Sequence, residues 1–224
     1  MKRNMSISVL LMLGVFSSVV FAGTSFTPLS PYQDLGDLDH YSCYVWQVDY
    51  ELAENEVIVG ASLSISQINN WDYRETDDIL NMRLLSQADA AAAKSDIPLD
   101  IVATGSGQVV MRGEDNRAVG DAFASYGIAL TSYTDTTRSP EDFLYNFNAT
   151  QVEKLNELVT YDPVEDMGFA LSFDPDCHYW NDGITLNIET AIRPPSPPVP
   201  VPGAFLLTAL GAGLVGHVRR RRSL

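Results

Sequence analysis

Glu-Val-Ile-Val-Gly-Ala-Ser-Leu-Ser-Ile-Ser-Gln-Ile-Asn, residues 56–69, is the stretch of sequence that decides the fold. Its residues alternate, so that one face is mainly apolar and the other face carries serines. The face predicted to point inward consists of Val57, Val59, Ala61, Leu63, Ile65 and Gln67, and the outer face consists of Ser62, Ser64 and Ser66. A period of two residues is typical of a β-strand, and the polar outer face predicts a half-buried antiparallel strand.

The segment before it, residues 41–52, alternates in the same way. One face carries Tyr44, Trp46, Val48, Tyr50 and Leu52, and the other carries Tyr41, Cys43, Val45, Gln47 and Asp49. Aromatic and β-branched residues at this spacing indicate a second strand. Further strands are predicted at residues 79–85, 109–112, 123–133, 169–173 and 184–190. Residues 87–94 fit either a short helix or a loop.

A short amphipathic helix is predicted at residues 149–159. Its apolar residues recur at helical spacing on one face, and they are Val152, Leu155, Leu158 and Val159. A second segment, Ser139-Pro140-Glu141-Asp142, places proline at a first helical position and acids in a first turn. Both features are typical of a helix start.

Many short strands separated by polar turns, with one short helix, predict a mostly β chain. The arrangement favours an antiparallel β-sandwich of jelly-roll-like form that spans residues 41–192. Residues 23–40 contain two prolines and are predicted to form an extended segment that leads into the sandwich.

The composition limits the classes of partner. The chain has 29 acidic and 14 basic residues, which give a formal net charge of −15. Six of the basic residues lie at the two ends, so the body between them carries 29 acids against eight bases, a net charge of −21. Such a body repels nucleic-acid phosphates, and we expect no nucleic-acid partner. Its length of about 180 residues is enough for one domain with its own core.

The N-terminus has the pattern of a secretory signal peptide, residues 1–22. Lys2 and Arg3 form a positive start, residues 7–21 are mostly apolar, and the sequence around Ala22 fits a cleavage site. An uncleaved anchor helix is the alternative. The signal-peptide pattern predicts export through the Sec translocon and removal of the leader by signal peptidase.

The C-terminus has three parts in a fixed order. A proline-rich linker at residues 193–202 precedes an apolar run at residues 203–218 and a basic tail at residues 219–224. The run is slightly shorter than the ~17–25 residues usual for a transmembrane helix. Arginines stay on the cytoplasmic side, so the body is expected outside the inner membrane, with the N-terminus out and the C-terminus in. A permanent tail anchor is the alternative to a transient one.

This C-terminal arrangement resembles the PEP-CTERM class of bacterial sorting signals, in particular its Val-Pro-x-Pro variants. The motif is matched by Val199, Pro200, Val201 and Pro202, and the basic cluster by Arg219, Arg220, Arg221 and Arg222. Val201 stands where other members carry the glutamate. The resemblance implies that an exosortase cleaves near the proline motif. It also implies transfer of the body to the cell envelope, the surface or the extracellular matrix.

Two cysteines lie in the body, Cys43 and Cys177. In an exported protein an even pair favours a disulfide. That bond would close a loop of about 134 residues and contribute roughly 4–5 kcal/mol in the chain-entropy model. Two small buried thiols are the alternative.

Residues 173–183, Phe-Asp-Pro-Asp-Cys-His-Tyr-Trp-Asn-Asp-Gly, resemble a segment near the end of β-sandwich domains in other exported proteins with PEP-CTERM-type tails. Calcium is the one cofactor considered, because four hard oxygen ligands lie within nine residues: Asp174, Asp176, Asn181 and Asp182. The alternative is structural, because Asn-Asp-Gly also suits a tight β-turn.

Aromatic residues beside carboxylates form two candidate sugar platforms, in which a ring stacks on the sugar and an acid binds its hydroxyl groups. The first contains Trp71, Asp72 and Tyr73, and the second contains Tyr179 and Trp180. The alternative is that these rings close the edge of the core.

The sequence contains none of the common nucleophile, metalloprotease, phosphate-loop or dinucleotide motifs. We therefore expect a non-enzymatic exported surface or matrix protein, associated with exopolysaccharide or biofilm. One alternative is a carbohydrate-binding β-sandwich, with or without calcium, and the third hypothesis is a hydrolase that uses surface carboxylates.

Overall fold

Short alternating segments of the chain become strands because each can bury one face and hydrogen-bond along both edges. The computed structural model describes residues 21–29, 35–70, 78–115, 120–137, 139–159 and 168–193. In chain order these residues form β1 (Phe21–Phe26), β2 (Asp37–Leu38), β3 (Ser42–Val48), β4 (Glu56–Asn70), β5 (Leu80–Ser86), α1 (Gln87–Asp96), β6 (Leu99–Gly105), β7 (Gln108–Glu114), β8 (Ile128–Tyr133), β9 (Glu141–Asn146), α2 (Ala149–Val159), β10 (Phe169–Pro175), β11 (Tyr179–Trp180) and β12 (Gly183–Ile192).

The strands form two antiparallel sheets of six strands each. The first has the order β1-β12-β4-β11-β2, with β9 also paired to β4, and the second has the order β6-β7-β3-β10-β5-β8. The prediction of a mostly β chain with an antiparallel sandwich is confirmed. The structure contains two short helices among the described residues. One matches the helix predicted at residues 149–159, and the other includes the segment 87–94 that the sequence left open.

The main core lies between the two sheets. The first sheet contributes side chains such as Leu63 and Leu186, and the second contributes Trp46, Leu171 and Phe173, all fully buried. Each such side chain contributes roughly 1.5–3 kcal/mol by leaving water. This layer explains why Tyr44, Trp46 and Val48 share one face of the second predicted strand.

Strand β3 is buried on both faces. Tyr44 and Trp46 belong to the main core, whereas Cys43 and Val45 belong to a second cluster that is covered by α1 through Ala90 and by neighbouring residues. The predicted alternation of this strand is confirmed, and α1 supplies the cover for its other face.

The alternation predicted for β4 holds only in its middle. Ala61, Leu63 and Ile65 are buried as predicted, but Val59 is 46% exposed and Ile58 is buried instead. A register shift opposite Glu189 and Thr190 reverses the alternation near Ile58. A second irregularity lies between Ile65 and Ile68, where Gln67 is exposed with φ of 50°. Each bulge adds an unpaired residue and moves the following side chains to the opposite face.

The helix start predicted at Ser139-Pro140 is wrong, since this segment leads into strand β9. Phe143 and Tyr145 of β9 pack against the core, while Leu144 is 61% exposed. Pairing with β4 along Ser62–Ile68 provides backbone partners that an isolated helical turn would lack. Tertiary pairing here outweighs the local preference for a helix.

Part of the predicted lead-in belongs to the sandwich. Strand β1 pairs with β12, and β2 pairs with β11. Leu35 and Leu38 are buried in the main core. All described residues lie in one compact unit, residues 1–193.

Helix α1 resolves the ambiguous segment 87–94. Ser86 caps it, because its hydroxyl accepts from Asp89 N at 2.9 Å and the Asp89 carboxylate accepts from Ser86 N at 3.1 Å. This reciprocal pair is a capping box. The amphipathic helix predicted at residues 149–159 is confirmed as α2, with Leu155 and Val159 fully buried.

The structure does not contain the disulfide predicted between Cys43 and Cys177, so that prediction is corrected. Both side chains are buried, but Cys43 lies in the cluster under α1 and Cys177 in the core between the sheets. Strand β3 thus directs Cys43 away from the core that holds Cys177.

Among the residues that the structure describes, no helix is both long and apolar enough to cross a membrane. The predicted transmembrane span at residues 203–218 lies outside those residues, as do the leader up to residue 20 and the linker from residue 194.

Candidate functional site

Several predicted site residues lie outside the described residues. They are Trp71, Asp72 and Tyr73 of the first sugar platform, Val199, Pro200, Val201 and Pro202 of the sorting motif, and the four arginines from Arg219 to Arg222. Apart from Cys43 on β3, the remaining predicted residues lie at or near the connections that join β10, β11 and β12.

Among the described residues, three of the four predicted to bind calcium, Asp174, Asp176 and Asp182, do not form a group of three ligand atoms within 4.8 Å of one another. Asp174 accepts a hydrogen bond from Ala122 N, and Asp176 accepts one from Gly120 N at 3.3 Å. The side chain of Asn181 instead donates to the carbonyl oxygen of Leu35, just before β2, and accepts from Gly183 N at 2.9 Å. The two aspartates therefore hold the 120–122 segment. Residues 181–182 are a short irregular connection and not the tight β-turn of the structural alternative, because β11 and β12 run along the same strand β4 in the same direction.

Asp174 is buried at the end of β10, with 1% of its surface exposed. Burial raises its pKa to about 7, against the hydrogen bond from Ala122 N, and the neighbouring carboxyl of Asp115 raises it further. Burial also raises the pKa of Asp176. Burial thus favours the neutral form of these two carboxyl groups.

The second sugar platform is divided by the alternation of β11. Tyr179 is completely buried and packs edge-on against Tyr133, with ring centroids 5.9 Å apart. Its ring is therefore a core residue and offers no face to a ligand. Trp180 points the other way and is 38% exposed.

Trp180 belongs to a line of four rings on the surface, which we call the ring row: Tyr41, His40, His178 and Trp180. Consecutive ring centroids lie 3.9 Å, 6.3 Å and 4.8 Å apart. Tyr41 at one end is 67% exposed. The row therefore presents an aromatic end at each side and two imidazoles in its middle.

Antiparallel pairing of β2 with β11 brings the two halves of the ring row together. Leu38 lies opposite Tyr179, and Asp37 lies opposite Trp180. His40 follows β2 and His178 precedes β11, so both histidines lie at the same end of this strand pair.

Two carboxylates accompany the histidines. Asp37 contacts Nε2 of His178, and Asp39 Oδ1 lies 3.5 Å from Nδ1 of His40. Asp39 is fixed by its own turn, because Tyr41 N donates to its carboxylate at 3.1 Å and Ser42 N donates to its carbonyl at 2.9 Å.

Arg112 limits the freedom of Asp39 on its other side. Its guanidinium lies 3.6 Å from Asp39 Oδ2 and also lies over the ring of Tyr44, 5.8 Å from the centroid. The arginine therefore holds one oxygen of Asp39 and leaves the other directed at His40.

Sequence reasoning found Trp180 of this site and did not find His40 with His178. The signal was present: these are the two histidines of the body, and each follows a pair of aspartates, in Asp37-Leu-Asp39-His40 and in Asp174-Pro-Asp176-Cys-His178. Their proximity depends on the pairing of two two-residue strands, which periodicity cannot reveal.

No protein-family model and no curated protein matches the chain. A solved chain from Desmodium yellow mottle tymovirus aligns over 88% of this chain and 100% of that one, with 10% sequence identity and a TM-score of 0.28. A similarity at this level carries no argument about fold or function.

Proposed function

We propose that the protein is an exported bacterial surface or matrix protein, sorted through its C-terminal signal and not an enzyme. The Sec translocon and signal peptidase would act on the leader, and an exosortase on the segment Val199–Pro202. The observation that best supports this is the position of the sandwich end. Strand β12 ends at Ile192, and Arg193 N donates to Asn55 O at 2.7 Å. Cleavage near Pro202 would therefore leave every described strand intact.

A jelly-roll-like connectivity belongs to the same proposal. Its support is that the last strand, β12, returns to lie between β1 and β4 in the first sheet. A late strand that returns beside the first is the mark of Greek-key connections, from which jelly rolls are built.

The sorting proposal is tested by deleting residues 199–224 and following the protein in its native host by cell fractionation. We expect the truncated protein to leave the envelope and matrix fractions and to appear in the medium. Replacing Arg219–Arg222 with alanine should give the same loss, because the arginines set the membrane orientation. Normal amounts of the truncated protein in the surface matrix would refute the proposal.

Carbohydrate binding is the second candidate function, and the ring row is the observation that favours it. Trp180 and Tyr41 expose aromatic surface on which a sugar can stack, and Asp37 can accept bonds from its hydroxyl groups. The acidic body would disfavour acidic polysaccharides, so a neutral glycan is the proposed ligand class.

A glycan array probed with the full-length protein tests this second function, with and without calcium. Trp180→Ala should abolish the signal. Leu144→Ala is the matched control, because Leu144 is also an exposed apolar residue and lies on β9 instead. Silence of the native protein on neutral glycans under both conditions, or equal signals from both variants, would exclude the ring row as a sugar site.

A further inference from the structure

We infer that Asp39, His40 and His178 form a binding site for a transition-metal ion of the zinc type. One ligand atom from each of these side chains lies within 4.8 Å of the other two. Among the described residues this is the one group of three or more acidic, histidine or cysteine side chains that meets that distance. The site shares no residue with the sorting signal and lies in the middle of the ring row.

The convergence of the two histidines is a property of the fold. They are far apart in the sequence, and the β2–β11 pairing places them beside each other. With 29 acids in the chain, nearby carboxylates carry little information, but the body has just two histidines and the fold brings both to one point. Imidazole is the ligand that distinguishes a transition-metal site from an ordinary acidic surface.

His40 has a ring nitrogen in need of a partner. Its Nδ1 is buried and makes no hydrogen bond, although the side chain as a whole is 36% exposed. The carboxylate of Asp39 is at 3.5 Å, beyond hydrogen-bonding distance. A metal ion between Nδ1 and Asp39 Oδ1 would give Nδ1 a partner, while Oδ1 also accepts from Tyr41 N.

His178 is oriented as metal-binding histidines usually are. Asp37 contacts its Nε2, which leaves the other ring nitrogen as the ligand. A carboxylate behind a histidine fixes the ring and raises its basicity, and such outer partners affect metal affinity by roughly 10–100-fold. Asp37 is thus a positioning residue and not one of the three ligands.

The donor set selects the ion. Two imidazoles and one carboxylate are a zinc-type set, with a fourth position left for water, whereas calcium requires six to eight oxygens. Tetrahedral zinc at ~2.0–2.1 Å from its ligands needs donors roughly 3.3 Å apart, so the side chains must close around the ion. They have room to do so, because the side chains of His40 and His178 are 36% and 28% exposed.

The experiment is isothermal titration calorimetry, in which zinc chloride is added to the full-length protein. The protein is first stripped of metal with EDTA and is held in mild detergent. We expect one zinc ion per chain in the native protein. His40→Ala and His178→Ala should each remove this binding, and Asp37→Asn should weaken it about 10-fold or more. His217→Ala, a change at the remaining histidine of the chain, is the matched control and should bind as the native protein does.

X-ray absorption spectroscopy at the zinc edge, on the unmutated, zinc-loaded protein, gives a second measurement that does not depend on the folding of a variant. The expected first shell contains two imidazole rings and oxygen ligands. A shell without imidazole, no stoichiometric zinc binding by the native protein, or unchanged affinity in folded His40→Ala would overturn the proposal. Calcium chloride titrated in place of zinc should give no binding that depends on His40.

Discussion

Cys43 and Cys177 lie on opposite sides of strand β3: Cys43 faces the cluster under α1, and Cys177 lies in the core between the sheets. The two thiols are therefore packed as small apolar groups in separate environments. Export does not by itself require a disulfide, because a sandwich with this many buried aromatic and aliphatic side chains has a large core without one.

The first prediction concerns redox conditions. A bond that closed the long loop between the two cysteines would contribute roughly 4–5 kcal/mol, so reduction would lower the melting temperature clearly. We expect instead the same Tm with and without dithiothreitol, measured by circular dichroism on the oxidised protein. Cys177→Ser is the control and should give an equally redox-independent Tm. A fall in Tm that occurs only on reduction and only in the native protein would show that the bond forms.

The second prediction concerns pH and Asp174. Its pKa of about 7 in the folded protein lies above the ordinary value of 3.8. Between these values the folded state holds a proton that the unfolded chain releases, so the free energy of unfolding falls as pH rises through this window. Asp174→Asn keeps an acceptor for Ala122 N and carries no charge. It should therefore raise the free energy of unfolding by on the order of 2 kcal/mol at pH 8 and change it little at pH 4.

Chemical denaturation at several pH values measures this difference. Asp182→Asn is the matched control, because Asp182 is exposed. Because this variant keeps Asp174, its free energy of unfolding should follow that of the native protein across the pH range. A native protein whose stability rises from pH 4 to pH 8 relative to Asp174→Asn would contradict the sign of the effect.

The third prediction concerns Gln151 of α2, which is 4% exposed. Its amide nitrogen donates to the carbonyls of Ala129 and Leu130, both at 3.0 Å, and its oxygen accepts from Tyr145 Oη and Asn148 N, both at 2.9 Å. Gln151→Ala removes the partner of the buried Leu130 carbonyl and of three partly buried groups. We expect a loss of roughly 2–4 kcal/mol in the free energy of unfolding.

Glu153→Ala serves as the control for this variant, since Glu153 is an exposed residue of the same helix. It should stay within about 0.5 kcal/mol of the native protein. If urea denaturation gave the two variants equal stability, the structural role assigned to Gln151 would be wrong.

The fourth prediction concerns Gly127, which precedes β8 with φ of 52°. A Cβ atom there would lie 2.1 Å from the carbonyl oxygen of Leu84. Gly127→Ala combines backbone strain with a clash against a strand, and we expect a loss of about 3 kcal/mol or more. Gly36→Ala is the control, because its nearest new contact is 3.6 Å, and the two melting temperatures should differ widely.

The sequence predicted the sandwich because most strands obey a simple period of two. It failed where geometry departs from that period. In β4, one irregularity buries Ile58 in place of Val59, and its local signal is the adjacent Gly60. The second irregularity exposes Gln67 and has no such signal in the sequence. At Ser139-Pro140 the local helix signal was real, but pairing of β9 with β4 decided the outcome.

The site could be predicted only in part, for a different reason. Trp180 was found because an aromatic residue beside acids is visible in the sequence, and Tyr179 was assigned to the same platform because a two-residue strand gives no period from which to separate them. The capping box from Ser86 to Asp89 was readable and would have identified α1. The meeting of His40 with His178 is a long-range contact and needed the structure.

Intact-mass spectrometry of the protein purified from its native host tests the central claim, that a sorting enzyme removes the tail. The account predicts a chain that begins after the leader and ends within Val199–Pro202. Such a chain lacks Phe21 and Ala22 at the start of β1, retains the other described strands and has lost the basic tail. A host strain without its exosortase should yield the uncleaved form. A native mass that still includes Arg219–Arg222 would contradict the account and make the protein a membrane-tethered one.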